Sequence, residues 1–270
     1  MKYFLVLIFI ASCSSHKGHV PFKTETGLFY TDAKDFRQSG EAYTPTKGEN
    51  LPGVIMVHGG GWDSRDYSDN RPIGESLASH GYTVLNINYR FPPKHVHPAP
   101  IEDLAMAIAW FKKNAARFKL DPERIGLWGY SAGAHITSLY ALQKIGTPDA
   151  VKAVVAGGGP YDLTWYTHSP IIGPYIGDRR DKKLNEYFEA SPAYHVKKGA
   201  PPFFLYHAKN DKLVEYQQAT SFEAKLKREG NFVKRHKVPF WGHAFAFILY
   251  DEAVKKGIKF FDIHLKGNGE

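Results

Sequence analysis

The sequence contains a single cysteine among its 270 residues. One cysteine cannot form an internal disulfide, and it excludes zinc or iron–sulfur sites built from several cysteines. The 25 glycines follow no period, which excludes a collagen-like chain. The hydrophobic content of 43% is too high for a disordered protein. These absences leave a globular chain whose length suits one large α/β domain or two small ones.

Long apolar runs are also absent after the first residues. Residues 3–10 form an unbroken apolar stretch, preceded by Lys2 and followed by small residues and Cys13. A bilayer-spanning helix needs about 20 apolar residues, so this run is too short to cross a membrane. A basic start, an apolar segment and a small-residue cleavage site are typical of a secretory signal. We therefore expect residues 1–12 to be a signal peptide.

The end of this segment, residues 10–13 (IASC), resembles the lipoprotein box of bacterial exported proteins. The resemblance implies that Cys13 becomes a lipidated N-terminus and that residues 13–22 form a short tether. It also implies a protein anchored at the cell envelope, on its periplasmic or surface face. The alternative is an ordinary signal peptide in which the cysteine occurs by chance.

The formal net charge of +8 raises the question of a nucleic-acid partner. The basic residues are dispersed apart from short pairs, and no arginine-rich helix or ladder of basic and aromatic residues accompanies them. Nucleic-acid binding is therefore a poor interpretation. A mildly basic protein held at an anionic membrane surface explains the charge better.

Short apolar runs alternate along the chain with segments of helical periodicity. This alternation predicts an α/β fold with a mostly parallel sheet of about eight strands and helices on both faces. We expect residues 23–270 to form one domain, in which the aromatic- and proline-rich insert 163–194 is a lid or cap. The runs predict strands over 54–57, 82–87, 125–128, 151–156, 203–207 and 232–238. The periodic segments predict helices over 101–118, from 131 onward, over 221–228 and over 245–265.

A G-x-S-x-G motif at residues 129–133 (GYSAG) lies between a predicted strand and a predicted helix. Such a turn is so tight that the positions two before and two after the serine must lack a Cβ atom. It holds the serine in a strained conformation with its hydroxyl directed into the site. The motif therefore predicts Ser131 as a nucleophile, against the alternative of a purely structural turn.

A second glycine-rich segment, residues 58–62 (HGGGW), follows the strand that ends at Val57. Three glycines let the backbone approach a bound acyl group and direct N–H groups at its oxygen. A phosphate-binding loop would need G-x-G-x-x-G or G-x-x-x-x-G-K-[ST], and neither occurs here. Residues 157–159 (GGG) fail the same test and are interpreted as a turn at a strand end. We expect His58 to brace the glycine loop.

These motifs together resemble the α/β-hydrolase fold. The likeness extends over residues 27–265 and is strongest to esterases with an HGG(G)W oxyanion motif. That group includes hormone-sensitive-lipase-like carboxylesterases, acetyl and feruloyl esterases, and kynurenine formamidases. It rests also on residues 88–92 (NYRFP), 101–104 (IEDL) and 121–125 (DPERI). The resemblance implies an oxyanion hole formed by the backbone N–H groups of Gly60, Gly61 and Ala132.

A serine nucleophile needs a base, and the base needs a carboxylate to orient it. In this fold the chain order is serine, acid, histidine, with acid and base on loops after strands. Asp211 follows the strand predicted at 203–207, in a segment similar to the family's G-x-x-D-x-x-V pattern but with Lys209 in place of glycine. His243 is the histidine with both the right order and a loop position. We therefore predict a triad of Ser131, Asp211 and His243.

Other residues remain alternatives for these roles. Asp162 follows the preceding strand and is either a second candidate acid or a turn brace. His135 lies one turn into the nucleophile helix, where packing or hydrogen bonding is expected. His207 ends a strand ahead of the predicted acid, and His236 lies inside a strand.

The predicted activity is hydrolysis of carboxylic esters through an acyl-enzyme, with no metal or organic cofactor. The expected substrates are small-molecule or polysaccharide-linked esters with short acyl groups. The alternatives are an arylformamidase-type amide hydrolase and a non-catalytic binding protein on the same fold. The sequence does not indicate an oligomeric state. Trp62 and Tyr130 are predicted to bind substrate, with packing as the alternative for both. Candidates for the same pocket, or for packing, are Tyr161, Trp165, Tyr166 and Trp241.

Overall fold

The computed structural model describes residues 18–239, 242–243 and 251–267. These residues build one sheet of eight strands in the order β1-β2-β4-β3-β5-β6-β7-β8. Strand β2 is antiparallel to both of its neighbours, and the other neighbouring pairs are parallel. The predicted mostly parallel sheet is confirmed. The strands are β1 Phe22–Phe29, β2 Ser39–Pro45, β3 Leu51–Val57, β4 Thr83–Ile87, β5 Leu120–Tyr130, β6 Ala153–Gly157, β7 Phe203–Ala208 and β8 Val233–Val238.

Helices cover both faces of this sheet, as expected from the alternating pattern. Successive residues of a strand point to opposite faces. In β3, Val54 and Met56 belong to a core with α1 and α7, whereas Ile55 and Val57 belong to a core with α2, α3 and α6. The helices are α1 Arg71–Ser79, α2 Ala99–Lys113, α3 Ala132–Gln143, α4 Ile172–Ile176, α5 Leu184–Glu189, α6 Tyr216–Arg228 and α7 Asp251–Lys266.

Apart from the short helices α4 and α5 of the insert, three elements lie where the sequence predicted none: strands β1 and β2 and helix α1. Strand β1 is at the edge of the sheet and mostly exposed, so it lacks a continuous apolar run. Strand β2 is fully buried but contains Glu41, whose carboxylate accepts hydrogen bonds from Tyr43, Arg71 and Asn86. A buried charge is tolerated when its lone pairs are satisfied in this way. Because Glu41 interrupts the apolar run, the sequence pattern does not predict a buried strand here.

The predicted helices also differ from the structure at their ends. The helix expected over 101–118 ends at Lys113, and chain turns then lead into β5. Residues 245–250 of the last predicted helix lie outside the described residues, and the described part begins at Asp251.

The first described residues are attached to the domain. The Gly18 N–H donates to Ser79 Oγ at 2.9 Å, and the Val20 N–H donates to the Ser79 carbonyl oxygen at 3.0 Å. A Cβ atom on Gly18 would lie 2.0 Å from that oxygen, so the contact requires glycine. Residues 18–20, within the segment expected to be tether, are therefore attached to the end of α1.

The predicted signal peptide, residues 1–12, and Cys13 lie outside the described residues. Within the described ranges, no helix combines the length and apolar character needed to cross a bilayer.

Candidate active site

The turn that carries Ser131 joins the end of β5 to the start of α3. Ser131 has φ +54° and ψ −120°, a strained conformation for a residue with a side chain. A Cβ atom on Gly129 would lie 2.2 Å from the Gly133 oxygen. One on Gly133 would lie 2.1 Å from the Val57 oxygen. Both glycines of the motif are thus required by close backbone approach, as the sequence predicted.

Three side chains predicted from the sequence form one chain of hydrogen bonds. His243 Nε2 lies 2.9 Å from Ser131 Oγ, and His243 Nδ1 lies 2.6 Å from Asp211 Oδ2. Because an ionised carboxylate only accepts hydrogen bonds, we assign the ring proton to Nδ1. This tautomer leaves the Nε2 lone pair facing the serine hydroxyl, which is the arrangement a general base requires.

The carboxylate of Asp211 is buried and held through both oxygens. Oδ1 accepts from the backbone N–H groups of Leu213 and Val214, each at 2.9 Å. Burial alone would raise the pKa of Asp211, but hydrogen bonds from His207 and His243 and from the Val214 N–H hold it below the usual value. Asp211 is therefore a charged acceptor at neutral pH.

The alternative acid, Asp162, has a different environment. Its Oδ1 accepts from the Thr164 N–H at 3.1 Å and from the Thr164 hydroxyl at 2.5 Å. It thereby caps the short helical turn 163–165. Among the described residues, His243 is paired with Asp211 and not with Asp162. Asp162 is the turn brace of the two interpretations.

The glycine loop after β3 lies beside the nucleophile. A Cβ atom on Gly59 would lie 3.2 Å from Ser131 Cβ. Gly60 and Gly61 have φ +104° and +63°, which favour glycine. No acceptor in the described part of the chain takes their N–H groups. Ala132 is the first residue of α3, where a helix leaves its N–H without an intrahelical acceptor.

The side chains of His58 and Tyr89 support this glycine loop. Their rings stack with centroids 4.5 Å apart, and the Tyr89 hydroxyl approaches the backbone oxygens of His58 and Gly59 at 3.2 and 3.3 Å. Burial lowers the pKa of His58 to about 4, so the ring is neutral at pH 7. This geometry agrees with the predicted brace. The adjacent Arg90 is fixed by the buried carboxylate of Asp103, at 2.8 and 3.0 Å from its Nε.

Comparison with known proteins adds family membership to this geometry. A match to the BD-FAE family covers residues 41–226. The chain belongs to the BD-FAE family.

Curated relatives of the chain are named as ester hydrolases. The chain is 33% identical over 212 residues to the probable carboxylic ester hydrolase LipM of Mycobacterium tuberculosis, covering 72% of this chain and 49% of LipM. It spans about half the length of the curated relatives it matches.

Solved structures share the fold of this BD-FAE chain. A truncated carbohydrate esterase from gut microbiota superposes with a TM-score of 0.79 at 20% identity, covering 92% of this chain and 98% of that one. Esterase B of Lactobacillus rhamnosis gives a TM-score of 0.79 at 22% identity, covering 93% and 89%. At these identities the likeness shows a common fold, the α/β-hydrolase fold of esterases.

Two predicted substrate-binding residues of the BD-FAE chain are packed in its interior. Trp62 is 2% exposed and stacks on Tyr175 of the insert, with ring centroids 4.3 Å apart and an angle of 10°. Tyr130 is 5% exposed, and its hydroxyl donates to the backbone oxygen of His243. This burial does not fit a substrate-binding role, because neither side chain presents a free surface. Trp62 instead joins the glycine loop to the insert, and Tyr130 holds the base.

The remaining aromatic candidates divide among several environments. Tyr161 is buried and stacks on Phe222, with ring centroids 4.3 Å apart. Trp165 is exposed, and the Tyr166 hydroxyl donates to Glu215 Oε2 at 2.7 Å. Trp241 lies outside the described residues.

The insert 163–194 contacts both sides of the site. On one side, the Tyr166 hydroxyl is hydrogen-bonded to Glu215, at the end of the loop that carries Asp211. On the other side, Ile171 Cγ2 lies 3.0 Å from where a Cβ atom of Gly61 would be. The segment between these two contacts therefore connects the loop of Asp211 to the glycine loop, and its role as a lid stays a prediction.

Proposed function

We propose that this protein is a carboxylic ester hydrolase that forms an acyl-enzyme on Ser131. The observation that carries the proposal is the hydrogen-bonded chain from Ser131 through His243 to Asp211. Its relatives support the reaction class, since they include a probable carboxylic ester hydrolase and an esterase of Mycobacterium tuberculosis.

The geometry supports a two-step acyl transfer. His243 Nε2 accepts the proton of Ser131 while Oγ attacks the carbonyl carbon of the ester. The negative charge that develops on the carbonyl oxygen is stabilised by the N–H groups of Gly60, Gly61 and Ala132. His243 then donates its proton to the departing alcohol, which leaves the acyl group on Ser131.

Water completes the reaction with the help of the same base, His243. His243 removes a proton from the water, which attacks the acyl carbon and releases the acid and the serine hydroxyl. Asp211 stabilises the imidazolium that forms in both steps, because its buried carboxylate is ionised and lies 2.6 Å from Nδ1.

The substrate we propose is a short-chain ester, including acyl groups on sugars. The short insert supports a small acyl group, since Ile171 occupies space next to the glycine loop. The sugar component is supported by a neighbour of the same fold described as a carbohydrate esterase.

The test measures hydrolysis of p-nitrophenyl acetate by the wild type and by Ser131→Ala. We expect the variant to lose about a thousandfold or more in kcat. Ser138→Ala is the matched control, because Ser138 is a buried serine of helix α3 whose hydroxyl makes no hydrogen bond among the described residues. Equal rates for wild type and Ser131→Ala would refute the proposal. Acetylated xylan, feruloyl esters and N-formylkynurenine then define the substrate class.

We also propose that the protein is exported and anchored to the cell envelope through a lipid on Cys13. The proposal is supported by the order of charge, apolar run and small residues in 1–13. The full chain and its Cys13→Ala variant would be expressed in a bacterium fed an alkyne fatty acid. Labelling and membrane recovery of the full chain only are expected, and equal labelling would contradict the anchor.

A further inference from the structure

A second histidine lies against the acid of the proposed triad. His207 belongs to strand β7, and its side chain is fully buried. Its Nε2 lies 2.8 Å from the Val214 backbone oxygen and 3.4 Å from Asp211 Oδ2. Both neighbours are acceptors, so Nε2 carries a proton and is the donor here. The Nε2–H of His207 thus points between two residues of one loop, Asp211 and Val214.

The opposite ring nitrogen takes no part in this arrangement. His207 Nδ1 is buried without a hydrogen-bond partner among the described residues. The ring packs edge-to-face on Tyr216, with centroids 5.9 Å apart and an angle of 86°. The ring is therefore held in place by packing, and its polar contribution comes from Nε2 alone.

This N–H completes the fixation of the carboxylate. Oδ1 of Asp211 is held by two backbone N–H groups, which leaves Oδ2 to orient the base. Oδ2 receives His243 Nδ1 at 2.6 Å from one side and faces His207 Nε2 from another. Without His207, the Val214 backbone oxygen would lose its hydrogen bond. The buried Oδ2 of Asp211 would also lose a nearby donor dipole.

We infer that His207 is a positioning residue of the proposed reaction, which holds Asp211 Oδ2 in line with His243 through its Nε2–H. The inference rests on the proposed function, because it needs Asp211 to act on the base. The lowered pKa of Asp211, to which the His207 hydrogen bond contributes, agrees with a carboxylate kept charged by this donor.

The experiment compares three substitutions. Glutamine places its amide nitrogen close to the position of Nε2, whereas asparagine is one methylene shorter and reaches only to the region of Nδ1. Leucine removes every donor. We expect His207→Leu and His207→Asn to lower kcat for p-nitrophenyl acetate by about tenfold, the effect of one hydrogen bond to a charged group, with KM changed less than about twofold. His207→Gln should restore most of kcat.

A double-mutant comparison separates positioning from a general structural effect. In an Asp211→Asn background, the carboxylate that His207 positions is gone. His207→Leu should therefore cost little further activity there. The same factor lost in both backgrounds would overturn the inference, as would a kcat equal to wild type in His207→Asn.

Two further readings keep the outcomes distinct. Circular dichroism and urea unfolding report whether each variant folds, and the glutamine–asparagine pair decides the question if the leucine variant does not. Hydrolysis by the wild type that Ser131→Ala does not reduce would refute the proposed function itself. Normal wild-type chemistry with no difference between the glutamine and asparagine variants would refute only the role of His207.

Discussion

Replacing Tyr130 by phenylalanine removes one hydroxyl from the position directly before Ser131. That hydroxyl donates to the backbone oxygen of His243, and the two rings lie with centroids 5.3 Å apart. Phenylalanine keeps the ring, so the packing of β5 is preserved. The variant therefore tests the hydroxyl contact that connects the nucleophile strand to the loop of the base.

The expected magnitude follows from the burial of this bond. Tyr130 is nearly inaccessible, so the His243 oxygen loses a donor that water replaces poorly. A hydrogen bond of this kind contributes about 1 kcal/mol to folding, and an unsatisfied partner costs about 1 to 3 kcal/mol. If about 1.4 kcal/mol of this loss is added to the activation free energy of the proton transfer through His243, kcat drops about tenfold. KM should change little, because Tyr130 presents no surface to substrate.

The assay is steady-state hydrolysis of p-nitrophenyl acetate, with thermal unfolding measured in parallel. Tyr82→Phe is the matched control: its hydroxyl is also buried and donates to Asp262 Oδ1 at 2.8 Å, on helix α7. Both variants should lose about 2 to 4 °C in Tm per kcal/mol. Only Tyr130→Phe should lose kcat. Wild-type kcat in Tyr130→Phe, or equal losses in both variants, would refute the reasoning.

Three other perturbations have defined outcomes. Gly133→Ala should destabilise the fold by about 3 kcal/mol in urea unfolding, because its Cβ would overlap a backbone oxygen of β3, whereas Gly173→Ala, with no contact closer than 3.8 Å, should not. Burial lowers the pKa of His58 to about 4 and that of His135 to about 3. Below the unfolded value of about 6.5 the unfolded chain binds more protons, so the urea midpoint should fall from pH 8 to pH 5; an unchanged midpoint would contradict this. Ile171→Ala should raise the ratio of hexanoate to acetate hydrolysis, and an unchanged ratio would show that Ile171 does not limit acyl length.

The nucleophile turn and the glycine loop could be predicted because their requirements are local. A tight turn after a buried strand leaves no room for Cβ atoms at Gly129 and Gly133, whatever the rest of the chain does. Asp211 and His243 were predicted because each lies on a loop after a predicted strand, in the chain order serine, acid, histidine.

Other features depend on contacts that no local pattern reveals. Trp62 follows the glycine loop, but its burial comes from Tyr175 in the insert. The motif containing Tyr130 identifies the turn, and only the fold shows its hydroxyl reaching the base. His207 is one of 13 histidines, and its nearness to Asp211 becomes visible only when the loop after β7 is built.

The attachment of Gly18 to Ser79 determines which way an anchored molecule would face. Ser79 lies just before the amino end of β4, whereas Ser131 follows the carboxyl end of β5, and both strands run parallel to β3. The two sites therefore lie at opposite ends of the parallel strands. Only residues 14–17 separate Cys13 from Gly18, a reach of at most about 18 Å. A lipid on Cys13 would hold the amino ends of the parallel strands near the bilayer. The active site at their carboxyl ends would then face away from the membrane, toward dissolved or polymer-bound esters rather than toward the lipids.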